Sequence, residues 1–501
     1  MTKELAVTHL LKKGSVITGI TLISRPLGYI REAIQAYVFG ATVLVDAFIV
    51  AFNFPELVQT LFFSGASSAI LLPVSTKYLK DNKEFSSVYS TFLNLTFFIT
   101  VFFSLILVLF SDQLVKLISP GFSPYARYLT RNLFIIMTPV IVMHALLSVM
   151  KSFLNAKDHF AAPELSGIIW NIVFIVSCLF LSEHIGIYSL AVGVSVGSLL
   201  QVIMQYPFLR RHGIRYRIQI DFNHEAVTQV RKLFFGALIG ASIVPINNCI
   251  DRIIASYLPE GHVASLTYAF RIFILPFSLF AVPIYTVAFS SISRLYHEKN
   301  WKSLFSQLDN SIVLMCVTLV PSLFLLCGIR TEIVKLLYER GAFTSYETEL
   351  TSRALFGYGL GLLFYGLSIL FVRAFNGIHD TKTPAVAGIT SIFLNALLDI
   401  ILMRPYQNFG IALATSIVSL YNFLLLFLIW RRRTGYRMGA QTLFTIGKTF
   451  LPGIVILLYI SLIRTFTKDA IFIISTSLIL AFIVVCLFFK NLVGESLKTR
   501  A

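Results

Sequence analysis

The sequence TLISRPLGYIREAI (Thr21–Ile34) places two arginines and a proline inside an otherwise apolar segment. Arg25 and Arg31 stay protonated at neutral pH, whereas Pro26 removes one helical hydrogen bond and Gly28 lets the backbone bend. An arginine at the centre of a bilayer costs roughly 2.5–3.5 kcal/mol on insertion scales. The stretch therefore indicates a membrane helix that turns fixed cations towards water or towards an anion.

The whole chain has the composition of a helical membrane protein. Its 501 residues are 56% hydrophobic and 13% charged, whereas soluble domains are about 45–50% apolar and about 25% charged. Several apolar runs, such as 92–110 and 470–489, approach or reach the roughly 20 residues that cross a bilayer. We predict an all-α polytopic fold with about fourteen transmembrane helices. The predicted spans are 15–40, 44–76, 88–110, 128–153, 163–182, 187–209, 229–257, 264–293, 308–328, 350–376, 384–403, 409–430, 446–464 and 469–489.

The net charge of +17 has two explanations. A soluble protein with this charge would suggest a nucleic-acid partner, but lysine and arginine also collect in the cytoplasmic loops of membrane proteins. Placing both termini in the cytoplasm puts the basic clusters inside. These clusters are Lys12/Lys13, Lys77/Lys80/Lys83, Arg210/Arg211/Arg215/Arg217, Arg294/Lys299/Lys302 and Arg431/Arg432/Arg433/Arg437. We therefore predict cytoplasmic termini and no nucleic-acid partner.

The two halves of the sequence echo each other at an offset of roughly 220 residues. FLNAKDHFAAPE (153–164) matches AFNGIHDTKTPAV (374–386), and DAFIVAFNFPELV (46–58) matches TYAFRIFILPFSL (267–279). We predict an N-terminal lobe of helices 1–6, a C-terminal lobe of helices 7–12, and two further helices. The predicted boundaries are 1–222, 223–437 and 438–501. Repeats of this kind are typical of transporters that bind their substrate between the halves, near the membrane midplane.

Arg271, in the second half, is a third arginine within a predicted span. An ideal helix separates Arg25 and Arg31 by about 120°, so a hinge at Pro26–Gly28 is the predicted means of turning both towards one cavity. Guanidinium groups bind phosphate in bidentate fashion, which favours a site for a phosphate or pyrophosphate head group. The alternative is that each arginine pairs with a local carboxylate, as Arg31 can with Glu32.

Residues 24–74, SRPLGYIREAIQAYVFGATVLVDAFIVAFNFPELVQTLFFSGASSAILLPV, resemble the opening of MurJ-type lipid II flippases of the multidrug/oligosaccharidyl-lipid/polysaccharide superfamily. Further matches are NNCIDRIIASYL (247–258), LTYAFRIFILP (266–276), LYERGAFTSYET (337–348) and FNGIHDTKTP (375–384). The resemblance implies a transporter, not an enzyme, in the bacterial cytoplasmic (inner) membrane. Its substrate would be lipid II, the undecaprenyl-pyrophosphate-linked disaccharide pentapeptide, moved by alternating access to the outer leaflet for peptidoglycan synthesis, cell-wall biogenesis and cell shape.

The resemblance also implies roles for particular residues. It assigns substrate binding to Arg25, Arg31, Arg271, Ser24 and Asp46, and it assigns a groove for the lipid tail to the last two helices. The chain departs from the family pattern at three positions. Gln59 and Ser64 stand where some members carry a basic and an acidic residue, and Phe270 replaces an acidic neighbour of the third arginine.

Some members of this family bind sodium, and Asn376 and Asp380 are the nearest candidates for such a site. The alternative is that HDTKTP (379–384) caps the helix that follows it. The sequence contains no Walker A loop, so the energy is expected to come from Na⁺ or H⁺ coupling or from the membrane potential alone, with no other cofactor.

Three other functions remain open from the sequence. One is a flippase for another prenyl-pyrophosphate-linked glycan, and another is a cation-coupled antiporter of the same superfamily. The antiporter needs carboxylates within its lobes, for which Asp46, Asp251 and Asp399 are the serious candidates. The third, outside transport, is a cell-envelope scaffold. We expect a monomer in contact with membrane lipids that can associate with the cell-wall synthesis machinery.

Overall fold

The computed structural model describes residues 3–60 and 66–498, with side chains described for 19–20, 22–60, 70–234 and 245–490. Every regular element in these residues is a helix, which confirms the predicted all-α class. In chain order the α-helices are α1 (Lys3–Phe39), α2 (Val43–Val58), α3 (Ala66–Thr76), α4 (Asn82–Leu109), α5 (Ser111–Ile118), α6 (Pro124–Met137), α7 (Pro139–Ala156), α8 (Ala161–Ile185), α9 (Tyr188–Arg211), α10 (Glu225–Ala255), α11 (His262–Pro276), α12 (Val282–His297), α13 (Trp301–Gly328), α14 (Arg330–Tyr338), α15 (Ser345–Gly359), α16 (Leu362–Gly377), α17 (Lys382–Thr434), α18 (Ala440–Lys448), α19 (Phe450–Phe466) and α20 (Ala470–Lys498).

Many of these helices can cross a membrane. Among the described residues, nine helices are long and apolar enough to do so, or up to ten if α15 and α16, which meet at 47°, form one bent span. The polytopic fold is therefore confirmed. The predicted count of fourteen is compatible with these helices and stays a prediction, because several spans are divided or joined. Two predicted spans, for instance, share α17, which is kinked at Gln407 (φ 52°, ψ −131°).

Two prolines that the repeat aligns disturb their helices in the same way. Pro55 lies near the end of α2 and Pro276 ends α11, and π-helical turns follow each of them, at 59–60 and at Phe277–Ala281. Proline lacks the N–H that an α-helical turn needs, and a wider π-turn is one local response to a disturbed helix. The shared geometry supports the internal repeat.

The turns that follow α7 and α16 also repeat. Asp158 and His379 have φ values of 59° and 62°. In each turn the next backbone N–H donates to the carbonyl five residues earlier, at 3.0 and 2.9 Å. Non-glycine residues seldom adopt a positive φ, so this shared turn is a second structural sign of the repeat.

The chain separates into two compact units, Met1–Gly261 and His262–Ala501. In the first unit, α10 packs against α2 and α3. Arg252 of α10 donates to Asn53 of α2, and its Nη1 lies 3.4 Å from Glu56 Oε2. The structural division comes after α10 in the chain, at residue 261. The lobe boundary predicted from the repeat comes before α10, between residues 222 and 223. The three lobe ranges stay a prediction about the repeat.

In the second unit, α19 lies directly against α13. A Cβ at Gly453 would lie 2.1 Å from Phe324 Cδ2, and one at Gly328 would lie 2.6 Å from Ile460 Cδ1. Arg464 of α19 forms a bidentate pair with Glu332 of α14, with distances of 2.8 and 2.7 Å. Small residues at close helix crossings are typical of membrane proteins. The last helices are thus anchored to their unit, and the lipid-tail groove stays a prediction.

Candidate functional site

Arg25, just past the middle of α1, is an exposed cation. In this conformation α1 continues through Pro26 and Gly28 without interruption, so the predicted break is not seen and the hinge stays a prediction. The Arg25 side chain is exposed, and no carboxylate of the described residues pairs with it. The role of Arg25 in substrate binding stays a prediction.

The face of α1 that carries Arg25 becomes buried further along the helix. Glu32 and Ala36 follow Arg25 by seven and eleven residues, which returns them to within about 20° of its direction. Both are buried, with exposures of 8% and 0%. Arg25 therefore lies at the open end of a face whose C-terminal part is packed.

Arg31 points elsewhere and is held by neighbours. Its Nη2 lies 2.8 Å from Glu32 Oε1, and its guanidinium carbon lies 4.8 Å from the Trp170 ring centroid and 5.5 Å from that of Phe174, both on α8. Such cation–π contacts contribute about 0.5–2 kcal/mol. In this conformation Arg31 follows the alternative of pairing with a local carboxylate.

Ser24 and Gly28 lie on the same helix in different surroundings. The Ser24 hydroxyl oxygen lies 3.5 Å from where a Cβ would stand on Gly167, so α1 and α8 approach closely there. A Cβ added at Gly28 would meet nothing within 4 Å. Packing therefore does not require glycine at position 28, which leaves backbone freedom as the physical reason for it.

Asp46 is buried in the first unit, with an exposure of 2%. Its Oδ2 accepts a hydrogen bond of 2.6 Å from the backbone N–H of Gly261. Gly261 has a φ of +85°, and a Cβ there would lie 2.2 Å from the carbonyl oxygen of Ala41. The carboxylate thus fastens the loop after α10 to the start of α2. Its implied role in substrate binding stays a prediction.

Arg271 lies within α11 and is half-buried. Its neighbour Phe270 packs against Phe273 and Tyr358, with ring centroids 5.6 and 5.5 Å apart. The residue that departs from the family pattern therefore joins an aromatic cluster. Ser24, Arg25, Arg31 and Asp46 belong to the first unit and Arg271 to the second, so the convergence of the three arginines stays a prediction.

Asp380, a candidate sodium ligand, caps a helix. Its carboxylate accepts hydrogen bonds from the Thr383 hydroxyl (2.6 Å) and backbone N–H (3.0 Å) and pairs with Arg433. Burial opposes ionisation, but these hydrogen bonds and the arginine outweigh it and lower the pKa of Asp380. The backbone carbonyl of Asn376 accepts from His379 N–H at 3.1 Å. The geometry favours the capping alternative, and the sodium site stays a prediction.

The cap at Asp380 is expected to stabilise the fold without sodium. Asp380→Asn keeps an acceptor for Thr383, whereas Asp380→Ala removes it and should cost about 0.5–2 kcal/mol. Because the folded-state pKa is lowered, the ionic contribution is present above the ordinary pKa and is lost as the pH falls through the lowered value. Thermal unfolding in sodium-free buffer should rank the wild type first, then Asp380→Asn, then Asp380→Ala. Equal stability of all three without sodium, and separation only in its presence, would support a metal site instead.

Sequence reasoning missed two contacts. Trp170 underlies Arg31, and the only sequence signal is an aromatic pair, Trp170 and Phe174, one helical turn apart. His144 is buried between α7 and α9, with its Nε2 3.0 Å from the Ser198 hydroxyl. A single histidine in an apolar helix gives no sign of its partner.

Comparison with known proteins gives a consistent result. Residues 35–482 match the family described as lipid II flippase MurJ. A probable lipid II flippase MurJ of Buchnera aphidicola (subsp. Acyrthosiphon pisum) is 30% identical over 83% of this chain and 83% of its own length. The lipid II flippase MurJ of Thermosipho africanus is 30% identical over 81% of this chain and 82% of its own length.

Solved structures agree in fold. A lipid II flippase MurJ in an inward closed conformation superimposes with a TM-score of 0.83 and 28% identity, covering 96% of this chain and 99% of that one. An inward-facing multidrug resistance MATE family transporter of the MOP superfamily gives a TM-score of 0.70 at 15% identity, covering 82% and 94%. The second likeness concerns the fold alone.

Proposed function

Since the chain belongs to the lipid II flippase MurJ family, we propose that it carries lipid II across the membrane by alternating access, with arginines of the membrane helices holding the pyrophosphate. The chain is a transporter and not an enzyme. The observation that carries the proposal is the family match over residues 35–482. An exposed arginine within an apolar helix supplies the chemistry that a pyrophosphate requires.

The first contact is assigned to Arg25, which is exposed and has no ion-pair partner among the described side chains. Arg31 is proposed to follow. It is held on the Trp170 ring and paired with Glu32, and an incoming pyrophosphate competes with that carboxylate for the guanidinium. Arg271 of α11 is proposed as the third guanidinium group that contacts the pyrophosphate. Three guanidinium groups compensate the negative charge of the pyrophosphate. The charged head group then no longer opposes closure of the protein around it.

The energy for the return step is proposed to come from the membrane potential, with Na⁺ or H⁺ coupling as the alternative. A potential of 100 mV acts on each elementary charge moved fully across with about 2.3 kcal/mol. An empty site that carries three arginines is pulled towards the negative side, which resets the transporter. The protein is polytopic in the membrane, and we place both termini in the cytoplasm because the basic clusters then lie inside. We also propose that it acts as a monomer beside the cell-wall synthesis machinery.

Depletion of the protein in cells tests the substrate. We expect lipid II to accumulate in the inner leaflet while its synthesis continues, because flipping follows synthesis. Mass spectrometry of prenyl-linked lipids, combined with a leaflet-accessibility reagent, measures this. Accumulation of a different prenyl-pyrophosphate-linked glycan would favour the alternative flippase, and unchanged levels of every precursor would favour the scaffold.

Gly28→Ala is expected to slow transport without harming the fold. Alanine in a helix interior is about 0.5–1 kcal/mol more favourable than glycine, and an added Cβ meets no atom. A stiffer α1 would bend less at Pro26. Gly19→Ala is the matched control, because Gly19 lies on the same helix and is equally open. Thermal stability and lipid II transport are measured together, and equal transport by both variants would exclude a hinge at Gly28.

A further inference from the structure

An extended segment, 213–222, lies along α4 and is held there by polar side chains. The backbone N–H groups of Arg215 and Arg217 donate to the hydroxyls of Ser86 and Ser90, at 3.2 and 3.0 Å. The Asn94 side-chain amide donates to the carbonyls of residues 217 and 219, at 3.2 and 2.9 Å. Ser86, Ser90 and Asn94 recur every four residues, so one polar stripe of α4 positions the segment.

The segment alternates like a strand. Its even-numbered side chains from 216 onwards are apolar and its odd-numbered ones are polar. The apolar row is exposed to different degrees. Ile218 and Phe222 are 92% and 67% exposed, whereas Tyr216 and Ile220 are 46% and 37% exposed, and the Tyr216 hydroxyl donates to Asn94 Oδ1 at 2.7 Å. Exposed apolar groups in a continuous row mark an interaction surface.

The hydrogen-bonded residues on α4 show how far along that helix the segment reaches. Ser86 lies in the first turns of the helix, and Asn94 lies about 12 Å further along at 1.5 Å per residue. The apolar run of α4 begins at Phe92, and the nearby Phe98 is 59% exposed. The chain then returns to the start of α4, where His224 lies 3.8 Å from Glu84. The tip of the segment is therefore level with the beginning of the apolar part of α4.

Four arginines lie within this segment or just before it. Arg210 and Arg211 end α9, and Arg215 and Arg217 lie within the segment. All four are exposed, and none pairs with a carboxylate among the described side chains. Clusters of this size beside a membrane helix bind anionic lipid head groups.

We propose that the 213–222 segment is an interfacial anchor that binds anionic phospholipids of the leaflet at which α9 ends. The apolar row enters the boundary between head groups and acyl chains, and the four arginines bind the phosphates. On the proposed orientation this is the cytoplasmic leaflet. A soluble protein partner fits less well, because the apolar row is level with the lipid-facing part of α4 and not beyond its end.

The test uses a spin label at Ile218→Cys in the full-length protein, after replacement of its five native cysteines. The cysteine-free parent is first shown to retain lipid II transport. The labelled protein is placed in nanodiscs of phosphatidylcholine alone or with phosphatidylglycerol, and the label's collisions with oxygen and with a water-soluble nickel chelate are measured. Phe98→Cys is the lipid-exposed control and Lys299→Cys the aqueous one. Both leaflets carry the same lipids, so the result does not depend on the orientation.

We expect the label at position 218 to resemble that at position 98 in anionic nanodiscs. Each basic residue near an anionic surface strengthens binding about fivefold. The double variant Arg215→Gln, Arg217→Gln should therefore shift the equilibrium between the membrane-docked and the water-exposed segment by about twenty- to thirtyfold towards the water-exposed state. Arg431→Gln with Arg432→Gln, which removes two exposed charges at the end of α17, should leave it unchanged. A label as accessible to nickel as that at position 299 would overturn the anchor and favour a protein partner. Equal depth in neutral and anionic nanodiscs would overturn the role of anionic lipid.

Discussion

Arg25→Glu is expected to abolish lipid II translocation while leaving the protein folded in the membrane. The side chain is exposed and pairs with no carboxylate of the described residues, so its replacement breaks no ion pair. A glutamate instead places a negative charge against the pyrophosphate, and like charges at a binding site cost several kilocalories per mole. At about 1.4 kcal/mol per tenfold change, the transport rate should fall by about a hundredfold or more.

One further variant separates the charge of Arg25 from its geometry, and another is a control for the loss of an exposed arginine. Arg25→Lys keeps the positive charge but loses the bidentate geometry, so it should transport at an intermediate rate. Arg353→Gln removes an exposed arginine that pairs with Glu349 at 2.7 Å, and a surface pair of this kind contributes about 0.3–0.5 kcal/mol. Its transport should match that of the wild type. Thermal unfolding in detergent checks the fold of each variant, and wild-type transport by a folded Arg25→Glu protein would exclude Arg25 from the site.

Gly261→Ala is expected to destabilise the first unit severely. The φ of +85° suits glycine, and a Cβ would lie 2.2 Å from the backbone oxygen of Ala41, which has little room to move. Left-handed backbone costs about 1–2 kcal/mol for other residues, and the steric overlap adds to it. A total loss of several kilocalories per mole is a large share of the roughly 5–15 kcal/mol by which domains are stable. Loss of folded protein in size-exclusion chromatography and thermal unfolding measures the effect.

Asp46 variants then show whether its carboxylate binds substrate or fastens the loop. Asp46→Asn keeps an oxygen that accepts from Gly261 N–H, whereas Asp46→Ala leaves that buried donor without its acceptor, at about 1–3 kcal/mol. We expect Asp46→Asn to fold and to transport lipid II, and Asp46→Ala to be less stable. A folded Asp46→Asn protein without transport would return Asp46 to the binding site.

The helices follow from local sequence, whereas their bends and partners do not. Hydropathy alone placed the predicted spans on the observed helices, because a bilayer demands long apolar segments. The kink at Gln407 and the π-turn after Pro276 depend on how the chain relieves a proline or a packing conflict. A hydropathy pattern contains no such information.

The candidate site was predictable only in part. The exposed Arg25 fits its lack of an acidic neighbour in the sequence, and Glu32, the partner of Arg31, is adjacent to it. The Trp170 ring beneath Arg31 belongs to another helix, and the bond from Gly261 to Asp46 spans 215 residues. Contacts between residues so far apart in the sequence are set by tertiary packing. The residue type at a single position does not reveal them.

The central claim is that arginines of the membrane helices bind the pyrophosphate of lipid II during its transfer. It is tested most directly with purified protein in liposomes that carry labelled lipid II, where a membrane-impermeant reagent reports how fast the lipid reaches the opposite leaflet. We predict that the wild type accelerates this transfer over protein-free liposomes, and that the folded triple variant Arg25→Gln, Arg31→Gln, Arg271→Gln does not. Transfer at the wild-type rate by that triple variant would contradict the claim.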